Sequence, residues 1–152
     1  MKIVVIYDSQ TGNTEKLAQA IAEGAKEVCE VEVKKIGEPF PLTLLAEVDG
    51  VAFGSPVYYA DISSNMKEFL EHIETYSKAN RKKVTGIPAA IFGTYGYDGA
   101  WLMEEKLKKM VAGLGFKVFE EVLVTVDTEV RYNLEAVKKK ASEFSRRFAS
   151  SI

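Results

Sequence analysis

Cysteine and histidine are nearly missing from this chain. Cys29 and His72 are the only residues of their types among 152. No intrachain disulfide can form, and most zinc sites and Cys/His catalytic pairs are excluded. A lone thiol suits a reducing compartment, so a cytoplasmic setting is expected. Charge of one sign is absent too: 20 basic and 22 acidic side chains leave a net charge of −2. No basic run points to a nucleic-acid partner. No apolar run approaches transmembrane length, so no membrane insertion is expected. The N-terminal Ile3 to Tyr7 segment meets Asp8 at once and reads as a buried strand, not a signal peptide. Linkers, low-complexity segments and internal repeats are also lacking, and the length suits one domain over 1–152.

Several nucleotide and phosphoryl chemistries fall away for want of a motif. No Gly-x-Gly-x-x-Gly turn follows the first strand, as a dinucleotide fold requires, and no Gly-Lys-Ser/Thr ending marks a P-loop. A receiver domain would carry a phosphorylatable aspartate after the third strand, where Gly54-Ser55-Pro56 stands instead. Cys29 has no Cys-x5-Arg setting for a phosphatase loop.

What is present alternates five times between apolar runs and amphipathic stretches. Strands are expected at Ile3 to Tyr7, at Val31, Val33 and Ile36 (more polar, hence an edge), at Val51 to Phe53, at Ile87 to Phe92 and at Val118 to Val126. Between them, apolar residues recur at helical spacing. Leu17, Ala18, Ile21, Ala22, Ala25 and Val28 form the first stripe. Met66, Phe69, Leu70 and Ile73 form the second, behind a cap at Ser63 or Ser64. Met103, Leu107, Met110, Val111 and Leu114 form the third, with Gly115 as its stop, and Leu134, Val137, Ala141, Phe144 and Phe148 the last. Strands apolar on both faces and alternating with helices imply an α/β fold, a doubly wound parallel sheet covered on both sides. Ligands of such sheets sit beyond the C-terminal strand ends, at the switch point.

Three loops therefore matter. The first, Ser9-Gln10-Thr11-Gly12-Asn13-Thr14, sets three hydroxyls, two amides and a glycine on a strand-to-helix turn without a basic residue. Backbone N–H groups and the dipole of a helix N-terminus favour an anion there, whereas a plain helix cap accounts for only one such residue. The second, Gly54 to Asp61, is long for a βα connection and carries the adjacent Tyr58 and Tyr59. Two neighbouring tyrosines are hard to bury together, so at least one faces a ligand or partner; the bland alternative packs both over the sheet end. The third, Gly93-Thr94-Tyr95-Gly96-Tyr97-Asp98-Gly99, offers three glycines for close approach to a flat ligand and aromatic faces for stacking. Trp101, just beyond it, reads better as a core anchor.

The first loop resembles the phosphate loop of the flavodoxin family, which follows a Thr/Ser-x-Thr-Gly-x-Thr pattern. The resemblance runs through essentially the whole chain, of the short kind without an insertion in the fifth strand. The two later loops are also similar to those of flavodiiron flavodoxin domains. It implies a five-stranded parallel sheet in the order 2-1-3-4-5 and one FMN, bound without covalent attachment. Its phosphate would be held by Ser9, Gln10, Thr11, Gly12, Asn13 and Thr14. Ser55, Pro56, Val57, Tyr58, Tyr59 and Ala60 would approach the ring from one side, with Tyr58 or Tyr59 stacking. Gly93, Thr94, Tyr95, Gly96, Tyr97, Asp98 and Gly99 would approach from the other, with Tyr97 stacking and backbone groups meeting the pyrimidine edge. Ala60 stands where related flavodoxins carry the glycine of an aromatic-Gly-Asp segment.

The implied function is that of a low-potential one-electron carrier, with no catalytic or metal-ligating residue of its own. Its partners would be donor and acceptor redox proteins, and the chain a monomer or weak homodimer. The competing reading is an NAD(P)H-dependent quinone or flavin reductase on the same scaffold. Few residues lie outside the five units to seat a nicotinamide, which favours the carrier. Asp61 and Asp98, in loops without a basic residue, and Asp127 and Glu129 after the fifth strand suggest negative charge near the ring. Such charge opposes an anionic reduced flavin and strengthens it as a reductant, and could steer a basic partner.

Overall fold

The computed structural model describes residues 1–58, 61–80, 84–96 and 100–152. In chain order the elements are β1 (Lys2–Tyr7), α1 (Asn13–Lys26), β2 (Glu30–Lys35), a 3-10 turn (Leu42–Ala46), β3 (Gly50–Tyr58), β4 (Asp61–Ile62), α2 (Ser64–Asn80), β5 (Pro88–Tyr95), α3 (Ala100–Gly113), β6 (Lys117–Val126), α4 (Asp127–Tyr132) and α5 (Leu134–Ser151). The sheet runs β2-β1-β3-β5-β6 with every pair parallel, and β4 adds only a short antiparallel pairing with β3. With the two-residue β4 set aside, this is the expected 2-1-3-4-5 order. The direction of winding reverses between β1 and β3.

Period-two alternation along the central strands splits the core into two layers. Val4 and Ile6, Val51 and Phe53, and Ala89 and Ile91 face α2 and α3. Ile3, Val5 and Tyr7, Ala52, and Ala90 and Phe92 face α1, α4 and α5. Each expected helical stripe meets one layer: Met66, Phe69, Leu70 and Ile73 the first, Leu17, Ala18, Ile21, Val137, Ala141 and Phe144 the second. Val28 departs from its expected stripe. Helix α1 ends at Lys26, so Val28 lies past the last turn and is 52% exposed. Helix α2 is capped by Ser63, whose Oγ accepts the Met66 N–H at 3.2 Å, which decides between the two candidate caps. Gly115 stops α3 with φ 106°, a left-handed conformation that favours glycine.

Two segments differ from their sequence reading. The third strand does not end at Phe53. Ser55 and Pro56 continue the pairing with Gly93 and Thr94 of β5, and Val57 and Tyr58 turn back onto Ile62 and Asp61. Pro56 is tolerated because β1 pairing stops at Gly54, so its missing N–H leaves no β1 carbonyl unpaired. Most of the presumed second loop is therefore strand. The other difference is α4, a short helix laid over the C-terminal end of β6, with Val130 fully buried against the α1/α5 layer. Gly54 is dictated by packing: a Cβ there would lie 2.1 Å from the Phe92 ring.

Candidate functional site

The C-terminal ends of β1, β3, β5 and β6 form one rim, and the first loop rises from it at the switch point. Gly12, with φ 93°, turns the chain into α1 from a conformation that a side chain would strain. Ser9, 8% exposed, stands three residues before that turn, and its Oγ accepts the N–H groups of Gly12 at 3.2 Å and Glu15 at 3.3 Å. A hydroxyl outside the helix thus caps its first turn. The Ser9 proton is not used in either contact, because both are donated to its oxygen. Asn13 Nδ2 donates to Thr11 Oγ1 at 3.4 Å. Gln10 and Thr11 are exposed, whereas Asn13 and Thr14 are buried. As the first two residues of α1, Asn13 and Thr14 have N–H groups that no intrahelical carbonyl can reach. The loop thus offers backbone donors, a positive helix end and hydroxyl protons, a donor set that suits a phosphate.

Below the loop, Thr14 Oγ1 lies 2.7 Å from Thr94 Oγ1 of β5, and both residues are buried. Thr94 is expected to meet a ring edge through its backbone; its side chain reaches the first loop. Thr125 of β6 is the register partner of Thr94, 3% exposed, and its Oγ1 finds no partner among the described residues. A second orphan is Asp8 Oδ2; the other carboxylate oxygen of Asp8 accepts from Asn65 Nδ2 at 3.3 Å. Neither Thr125 nor Asp8 stands in the expected site, and a polar residue at the C-terminal end of an apolar strand is their only sequence signal. Two buried, unpartnered oxygens at one rim are the kind of exception that a bound ligand explains.

Tyr7 closes β1 on the α1 face. Its hydroxyl donates to Glu15 Oε1 at 2.7 Å. Burial, followed by the carboxylate acceptor, pushes the phenol well above its ordinary range. It stays a neutral donor that holds α1 to the strand it follows.

On the α2 face, Ser55 is fully buried. Its Oγ donates to the Pro56 carbonyl at 2.8 Å and accepts the Ser63 N–H at 3.0 Å. Ser55, one of the residues expected to contact the cofactor, thus holds the entry to α2. Pro56 is buried and Val57 half-buried in β3. Gly93 is buried with no room for a side chain, since a Cβ would lie 2.4 Å from Met103 Cε. Tyr95 ends β5 half-buried, and Gly96 follows it. The Tyr58 side chain, Tyr59, Ala60, Tyr97, Asp98 and Gly99 lie outside the described residues. Trp101 is 61% exposed, not the core anchor it was expected to be. It falls on the first turn of α3, where Met103 and Leu107 take the buried positions.

Two of the four acids expected to make the rim electronegative have cation partners, and Asp98 lies outside the described residues. Asp61 is held by Lys67 of α2 at 2.5 Å and by Lys106 of α3 at 3.2 Å. Burial alone would raise its carboxyl, but the Lys67 ammonium, the Ile62 N–H and Lys106 outweigh that and keep it below the usual carboxylate range. Glu129 pairs with Lys140 at 2.8 Å. The loops hold no basic residue, yet the helices that follow bring cations to both acids, and Lys106 reaches Asp61 from a later one.

Comparison with known proteins agrees with this geometry. One relative is a flavodoxin from Clostridium saccharobutylicum, 38% identical over 78 residues, covering 51% of this chain and 49% of the relative. Another is an NAD(P)H dehydrogenase (quinone) from Archaeoglobus fulgidus, 35% identical over 95 residues, covering 46% and 50%. The chain spans about half or less of the length of the curated relatives it matches. A solved flavodoxin from the domain Archaea superposes with a TM-score of 0.77 at 26% identity, covering 98% of this chain and 99% of the other. The sequence pattern that defines flavodoxins matches residues 5–140, and the chain belongs to the flavodoxin family.

Proposed function

We propose that this chain is an electron carrier that binds one FMN at the rim and exchanges single electrons with protein partners. The observation that carries the reading is the first loop: three hydroxyls and N–H groups beyond the reach of intrahelical carbonyls on a helix N-terminus, with Gly12 at φ 93° and no basic side chain. Ser9, Gln10, Thr11, Gly12, Asn13 and Thr14 would hold the phosphate. The β3–α2 connection with Tyr58 and Tyr59 and the β5–α3 connection with Tyr97 would flank the ring. FMN supplies the redox chemistry; the protein supplies position and electrostatics. Helix α1 presents its positive end to the phosphate, and Ser9, by capping that end, keeps its N–H groups aligned. Asp61, already paired with Lys67 and Lys106, adds little net negative field at the rim.

The test is a titration of the flavin-free protein with FMN and with riboflavin, followed through Trp101, the only tryptophan. FMN is expected to bind at least a hundredfold more tightly, since a phosphate adds several hydrogen bonds to a charged group. Equal affinities would refute the phosphate site. A second reading, quinone reduction by NAD(P)H, is favoured by the Archaeoglobus relative. The carrier reading predicts negligible steady-state NADH or NADPH oxidation. Turnover above about one per second with a quinone acceptor would decide for the reductase.

A further inference from the structure

Thr94 has a role that its place in the chain conceals. Along β5 the residues Ala90, Phe92 and Thr94 alternate onto the face covered by α1, and there the Thr94 hydroxyl meets that of Thr14 at 2.7 Å. Both side chains are excluded from water, at 2% and 1% exposure. A threonine inside a helix commonly donates its hydroxyl proton to the carbonyl four residues back. For Thr14 that residue is Gln10, which precedes α1, so the helix itself does not orient the hydroxyl.

Each hydroxyl carries one proton, and only one of the two crosses the 2.7 Å contact. If Thr14 donated to Thr94, it would turn lone pairs toward anything bound above it, and an anionic oxygen would be repelled. If Thr94 donates to Thr14, the Thr14 proton is free to point out of the sheet. Thr125, beside Thr94 on β6, continues this row of hydroxyls: its Oγ1 is buried and finds no partner among the described residues.

We propose that Thr94 is a positioning residue that donates its proton to Thr14 Oγ1, and so commits the Thr14 hydroxyl as a donor to the flavin phosphate. This rests on the reading of the first loop as the phosphate site. A relay from Thr94 through Thr14 to a phosphate oxygen is polarised along its length, which strengthens each link in a dry environment. It also ties the phosphate loop to the strand that leads into the third loop.

The test compares dissociation constants for FMN and riboflavin in wild type, Thr94→Val, Thr94→Ser, Thr14→Val and the double Thr14→Val/Thr94→Val variant. Thr94→Val should weaken FMN binding roughly tenfold, as for a hydrogen bond to a charged acceptor, and leave riboflavin binding unchanged. Thr94→Ser should restore FMN affinity. The double variant should bind FMN no worse than Thr14→Val alone, because Thr94 acts through Thr14. Should Thr94→Val not fold, Thr94→Ala replaces it in the same comparison. Equal weakening of FMN and riboflavin, or additive effects in the double variant, would overturn the proposal. If wild type does not prefer FMN at all, the phosphate reading fails and this proposal with it. If wild type prefers FMN and Thr94→Val keeps that preference, this proposal alone fails.

Discussion

Replacing Ser9 by alanine tests whether the first loop is built before any ligand arrives. The Ser9 Oγ accepts two backbone N–H groups, those of Gly12 and Glu15, at 3.2 and 3.3 Å, from a position only 8% exposed. Ser9→Ala leaves both donors without that acceptor in the first turn of α1, while the backbone of Ser9 is free to stay in place. The loss of a capping side chain costs about 0.5–2 kcal/mol, and two donors share this one acceptor, so about 1–2 kcal/mol is expected. For a chain of this size each kcal/mol moves Tm by roughly 2–4 °C, which gives a drop of roughly 2–8 °C. The assay is thermal unfolding of the flavin-free protein by circular dichroism, with urea unfolding to show an unchanged m-value and a lowered midpoint. FMN affinity should fall as well, since a frayed first turn no longer aligns its N–H groups. A flavin-free Ser9→Ala protein that melts with wild type would refute the capping argument. Ser9 would then act on the phosphate alone.

Two further outcomes follow from packing and charge. Gly54→Ala places a methyl 2.1 Å from the Phe92 ring in a core that cannot yield freely. It should cost about 1–3 kcal/mol by overpacking, read from urea unfolding; an unchanged midpoint would contradict the close approach of β3 and β5. Asp61, whose carboxyl is held below the ordinary carboxylate value, contributes stability that is present above about pH 4 and is lost as pH falls through its lower folded value. Asp61→Asn should therefore destabilise at pH 7 and flatten the acid limb of the stability curve below about pH 4. Parallel acid limbs in the two proteins would show that the Lys67 and Lys106 pairs do not stabilise the fold.

The fold was legible because its signals are local and repeated. Apolar spacing set the inner faces of the long helices: Met66 and Ile73 in α2 and Leu17 and Ile21 in α1 are all buried as the spacing requires. The short polar-alternating segment at Val31 became the β2 edge, for an edge strand needs only one apolar face. Errors fell where one residue weighs against its neighbours. Val28 continued an apolar stripe that the helix did not reach, and Trp101 was assigned to a core already filled by Met103 and Leu107. Pro56 hid a strand, since the end of β1 pairing that makes a proline harmless there is a tertiary fact.

The site was legible in its backbone and less so in its side chains, and the reason is the range of the interactions. A glycine and a run of hydroxyls before a helix report a donor-rich N-terminus, because the groups that make it are adjacent in sequence. Partners of individual side chains are set across the fold: Thr14 meets Thr94 eighty residues away, Asp8 meets Asn65, and Asp61 meets Lys106. Each pairing changes what the residue can do. Ser55 cannot donate its one proton to a ligand while it donates to the Pro56 carbonyl, and Asp61 cannot act as an isolated charge between two ammonium groups. A hydroxyl read from sequence is a donor of unknown direction, and in the proposed relay the strand beneath the loop sets it. That is why Thr94, expected to meet the ring through its backbone, has its side chain at the first loop, and why Asp8 and Thr125, each with an oxygen that finds no partner among the described residues, mark the rim more specifically than the count of hydroxyls in the loop.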